Sequence, residues 1–77
     1  MLEFGIKAEI LLIVLHEIEE EIRTDGISQQ KKALLYHQLG SVHSLMGDKE
    51  QQKFAWEEAK RLDPNNQMIK SSLKSLK

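Results

Sequence analysis

Apolar residues recur along the first third of the chain at helical intervals. Phe4, Ala8, Leu11, Leu15, Ile18 and Ile22 follow one another at spacings of 4, 3, 4, 3 and 4. That is the stripe of one long helix over about residues 4–23. Within it, Ile10 to Leu15 is an unbroken apolar run. Each residue turns a helix by about 100°, so the run wraps the whole circumference and asks for burial on more than one side. Thr24-Asp25-Gly26 ends the helix, with Gly26 suited to a left-handed C-cap.

Three further helices follow from the same reading. Ser28 is the N-cap of the second, and Leu35, Leu39, Val42 and Met46 give its stripe. Gly47 and Asp48 close it and open the third, where Asp48 and Gln51 have the spacing of a capping box. Ala55, Ala59 and Leu62, with Trp56, form the apolar face of the third helix. Asp63 and Pro64 stop it, because proline disfavours helix at the residue before it. Asn65 or Asn66 caps a last helix over residues 67–77. Ile69, Leu73 and Leu76 share one face of it, and Lys70, Lys74 and Lys77 face water. The expectation is an all-α fold of four helices.

Composition narrows the class. The chain has 77 residues, enough for one small domain with a modest core. Strong helix formers dominate, and only one proline and four glycines punctuate them. The absence of cysteine excludes disulfides, thiol nucleophiles and thiolate metal sites. Eleven basic and twelve acidic residues give a net charge of −1, which argues against general nucleic-acid binding. The apolar run is too short to cross a bilayer, and no segment reads as a signal peptide, so a cytoplasmic location is expected.

The segment 33–66, "ALLYHQLGSVHSLMGDKEQQKFAWEEAKRLDPNN", resembles one tetratricopeptide repeat. Its length of about 34 residues is the repeat period. Leu39 and Gly40, with Tyr36 three residues before Leu39, are similar to the signature of the first repeat helix. Gly47 and Asp48 match the turn between the helices. Trp56 stands at a large aromatic position, Ala59 at a small one, and Leu62 to Asn66, through Pro64, matches the closing motif. Gln52 departs from a usual small residue, Lys53 from a usual apolar one and His43 from a usual aromatic. The resemblance implies a helical hairpin flanked by a long N-terminal helix and a C-terminal capping helix. It also implies protein binding rather than catalysis, on a concave surface of Leu34, His37, Gln38, Ser41 and Leu45.

Physical reasoning adds one packing expectation. A glycine in mid-helix costs about 1 kcal/mol relative to alanine, a cost accepted where another helix must approach. Gly40 is therefore expected to face the small strip of Ala55 and Ala59.

Candidate chemistry is sparse. His16 and Glu20 lie one turn apart with Glu17 beside them, but the second histidine of a helical zinc pattern is missing, and a solvated acidic face explains them. His37 and His43 lie six apart, off ligand spacing, and His43 reads as a packed core or boundary residue. There is no glycine-rich phosphate loop and no visible nucleophile with its base. Lys60, Arg61 and the terminal lysines make a small basic patch without interleaved aromatics, which reads as a solubilising face. Phe54 either packs on the last helix or is exposed to a partner.

Two functions follow as expectations, neither enzymatic nor dependent on a metal or cofactor. One is a non-catalytic adaptor for another protein or peptide. The other is a self-assembly module, a homodimer through Ile10, Leu12, Ile13 and Val14, which the inner stripe leaves facing outward. In a piece of a longer repeat protein, the same surface would meet a neighbouring repeat instead.

Overall fold

The computed structural model describes residues 2–76, with side chains from Ala8 onward. Four helices account for most of the chain: α1 (Leu2–Ile22), α2 (Gln29–Leu45), α3 (Lys49–Leu62) and α4 (Gln67–Lys74). The described residues contain no strand. Phe4, expected on the stripe of α1, and Lys77, expected on the solvent face of α4, lie outside the described side chains.

Local side chains set most of the helix ends. Ser28 Oγ accepts from Lys31 N at 3.1 Å and starts α2. Gly47, at φ +82°, ends α2 in a left-handed turn: its N–H donates to Ser44 O at 3.0 Å, and Asp48 N donates to His43 O at 2.9 Å. These two bonds satisfy carbonyls that the helix end would otherwise leave open. The expected capping box at the start of α3 is only half formed. Asp48 Oδ1 accepts from Gln51 N at 3.2 Å, but the Asp48 N–H is already engaged with His43. Asn66, rather than Asn65, caps α4 through Oδ1 and Ile69 N at 3.1 Å. Gly26 also has positive φ, at +85°, yet it sits within the connector after α1 and is not that helix's C-cap.

α2 and α3 form an antiparallel hairpin, the most extensive helix pair; α1 packs on α2, and α4 packs on α3. Two apolar clusters hold the four together. Ile18, Leu35, Leu39, Val42 and Ala55 join α1, α2 and α3, with Leu11, Val14, Leu15 and Ile22 packed at the edge. Ala33, Ala59 and Ile69 join α2, α3 and α4. Leu11, Leu15, Ile18 and Ile22 of the inner stripe thus pack as the periodicity predicts, while Ala8, expected with them, is exposed and joins neither cluster. The described structure is flat, with extents of 41 × 33 × 16 Å. Its radius of gyration is 12.9 Å, against roughly 11.5 Å for a compact chain of this length.

Gly40 corrects one packing expectation. A Cβ there would lie 2.5 Å from Trp56 Nε1 and 3.0 Å from the Gln52 carbonyl oxygen. The gap left by the glycine is filled by the indole, not by the strip of Ala55 and Ala59. Those alanines serve different clusters: Ala55 the one shared with α1, Ala59 the one shared with α4. The indole lies at the glycine because a buried Trp N–H needs an acceptor, and the His37 carbonyl lies one turn away on the same helix.

Candidate interaction surfaces

The hairpin presents His37 at the junction of three helices. Trp56 Nε1 donates to the His37 carbonyl at 2.8 Å. The imidazole stacks on the indole, with centroids 5.2 Å apart and planes 10° from parallel. His37 Nε2 hydrogen-bonds Ser72 Oγ on α4 at 2.7 Å. Burial holds the imidazole below its ordinary pKa of 6.5, since desolvation disfavours the charged form. Ser41 Oγ donates to the same His37 carbonyl at 3.2 Å. One residue therefore links α2 to both α3 and α4.

His37 also stands in the wall of a groove of about 520 Å³ between α1, α2 and the start of α4. Val14, Ile18, Leu34, Val42 and Met68 give it an apolar lining. His37, Gln38 and Ser41 supply polar groups on one side. Four of the five residues expected on the concave surface line it: Leu34, His37, Gln38 and Ser41. Leu45, which is 72% exposed, does not. Met68 and Ser72, both on α4, were not legible as parts of this region. Their one sequence signal is the Asn66 cap, which fixes where α4 begins and so which of its residues turn toward α2.

The outward side of α1 differs. Ile10, Leu12 and Ile13 are 54%, 53% and 60% exposed. Val14, expected with them, is half-buried, packs against the first cluster and lines the groove. It lies three residues after Leu11 and four before Ile18, so helical geometry carries it to the inner face. Phe54 is exposed on α3, at 65%, which settles its two alternatives against burial on α4. Trp56 is buried as a core residue. His43 is half-buried, with Nδ1 enclosed and without a hydrogen-bond partner among the described residues.

A second, smaller groove of about 310 Å³ lies between α3 and α4, lined by Lys60, Lys70, Leu73 and Lys74. Arg61, adjacent in sequence, is drawn away: its Nε donates to both Glu58 carboxylate oxygens at 3.1 Å. That hydrogen bond holds the Glu58 carboxyl below its usual range.

Among the described residues, no three His, Asp or Glu side chains converge as metal ligands. His16 and Glu20 are 3.9 Å apart on the exposed side of α1, in line with a solvated face. No described helix is long and apolar enough to cross a membrane. No family model matches the chain, and neither a curated protein nor a solved structure is significantly similar to it.

Proposed function

We propose that the protein is a non-catalytic protein-interaction module, built as a single tetratricopeptide-like hairpin with flanking helices. Its primary binding surface is the groove between α1, α2 and α4. The observation that carries this reading is the lining itself. Leu34 from α2 and Met68 from α4 stand exposed in an apolar trough, with Gln38 and Ser41 as hydrogen-bonding groups in the same lining. Peptide and small-ligand sites share that make-up, apolar walls with a few polar groups that set orientation. A helix laid in a groove by its apolar face is one common mode. The partner is a short peptide or helix with apolar anchors.

Selection from a library of displayed peptides tests this. The expected result is enrichment of sequences with spaced apolar residues. Their binding should weaken about tenfold or more, ~1.4 kcal/mol, in Leu34→Glu and Met68→Glu variants. Both residues are exposed, so both variants should fold. The proposal fails if no peptide is enriched, or if those enriched bind the variants equally well.

A second reading has its own observation. Ile10 and Ile13, one turn apart, form an apolar strip on the outer side of α1 with Leu12 exposed next to Ile13, and each of the three is more than half exposed. Contiguous patches of this kind mark interfaces in soluble proteins. The reading is self-association carried by α1. Light scattering across concentrations tests it: mass should rise above one chain, and Leu12→Glu with Ile13→Glu should return it to one.

A further inference from the structure

The charges of this near-neutral chain are segregated. Residues 2–22 carry six glutamates and one lysine; residues 67–77 carry three lysines and no acid. α1 and α4 flank the α2–α3 hairpin, one packed on α2 and the other on α3. The molecule thus has an acidic first helix and a basic last one.

Both carry a mixed pattern. On α1, Ile10, Ile13, Glu17 and Glu20 recur at spacings of 3, 4 and 3, so they share one exposed face. That face is apolar in its first half and acidic in its second. Glu20 is partly engaged by Arg23 Nη1 at 2.9 Å. Glu17 has no ion-pair partner among the described residues. Between α3 and α4, Leu73 lies among Lys60, Lys70 and Lys74 in the small groove. None of those lysines forms an ion pair among the described residues. Glu57, one turn before Lys60, does not line the groove.

We propose that the lysine-lined groove between α3 and α4 receives the outer face of α1 from a second copy of the chain, head to tail. It rests on the second reading above, in which α1 carries self-association, and is independent of the peptide groove. Glu17 and Glu20 of one copy meet the lysine ammoniums of the next. The apolar half of the face packs on Leu73 and on the aliphatic lysine stems, which cover apolar surface while their charged ends stay in water. A parallel symmetric pairing of two α1 helices would instead bring the two acidic halves together, which like charges oppose, and an antiparallel one would lay each acidic half on the partner's apolar half, which desolvates charge without pairing it. Head-to-tail contact uses different surfaces on each copy, so it continues from copy to copy, into a ring where its rotation closes and into an open chain of molecules where it does not. Exposed charge pairs are individually weak and screened by salt. The association is therefore weak, and it loosens as salt rises.

Sedimentation velocity on three proteins tests it: the unaltered chain, a groove variant with Lys70→Glu and Lys74→Glu, and a helix variant with Glu17→Lys and Glu20→Lys. The unaltered chain should self-associate at low salt and weaken at high salt. Each variant alone should associate about tenfold more weakly or worse. Mixed one to one, they should associate again, because every contact then pairs opposite charges. Helical circular dichroism unchanged in both variants confirms that folding is intact. A groove variant that associates like the unaltered chain overturns the head-to-tail arrangement while leaving self-association through α1 standing. A chain that stays monomeric at all concentrations overturns both. Association insensitive to salt and to both charge variants, yet lost in Leu12→Glu with Ile13→Glu, identifies an apolar symmetric contact and also overturns the proposal.

Discussion

The imidazole of His37 lies flat on the indole of Trp56, and the indole N–H donates to the carbonyl of the same histidine. Aromatic stacking of this kind adds about 0.5–1.5 kcal/mol beyond area burial. The pair explains the glycine one turn further along α2, since any side chain at residue 40 would occupy the space of the indole. It also makes His37 a poor candidate for a free contact residue. The groove between α1, α2 and α4 is held in shape by His37, while Leu34, Gln38, Ser41 and Met68 line it with side chains that His37 does not need for its own contacts to α3 and α4.

The first prediction concerns that glycine. Alanine is the better helix former by about 1 kcal/mol, so an exposed glycine in mid-helix would be improved by Gly40→Ala. Here the new methyl would press on the indole and on a backbone carbonyl that cannot rotate away. Overpacking costs of about 1–3 kcal/mol should outweigh the gain. The denaturant midpoint is therefore expected to fall. A midpoint that rises would mean that the indole shifts freely and that the close approach is not a constraint.

The second concerns pH. Burial lowers the His37 pKa from its ordinary 6.5, so the unfolded chain binds a proton at this site more readily than the folded one. Stability from this residue is then fully present above about pH 6.5. It declines as pH falls from there toward the folded value, where it levels off. Urea unfolding followed between neutral and mildly acid pH should show the decline, and His37→Gln should flatten that part of it. Equal pH slopes in the two proteins would count against a desolvated His37.

The third concerns the joint before α4. Asn66 Oδ1 caps the helix that carries Ile69, which is fully buried together with Ala33 and Ala59. Loss of an N-cap costs about 1 kcal/mol, a sizeable fraction of the stability of a domain this small. Asn66→Ala should lower stability by about that amount and speed hydrogen exchange in α4 ahead of α2 and α3. Asn66→Ser, which keeps an acceptor oxygen without setting a second carboxylate beside Asp63, should restore most of it. If exchange accelerates equally across all helices, α4 is not a separable unit and the cap matters only to global stability.

The four helices, their order and most of their ends are determined by the sequence alone, because those features depend on neighbours within a few residues. Ser28, Asp48 and Asn66 each bind the amide three residues on. The left-handed turn at Gly47 needs only the absence of a Cβ. The stripe on α1 follows from a repeat that any helix imposes, and so does the exposure of Leu12 and Ile13. Val14, one residue further, shows the limit of reading an apolar run as a block: its side of the helix is set by its angle to Leu11 and Ile18. What only the tertiary structure decided are relations between distant residues. His37 and Ser72 are 35 residues apart, and His37 and Trp56 are 19 apart. Whether they meet depends on how far α2 slides along α3 and on the angle at which α4 crosses them. Those two quantities are set by how all the apolar faces fill space at once. No local pattern encodes them, so the indole in the gap at Gly40, the groove edged by Met68 and the lysines drawn together across two helices appear only when the helices are packed.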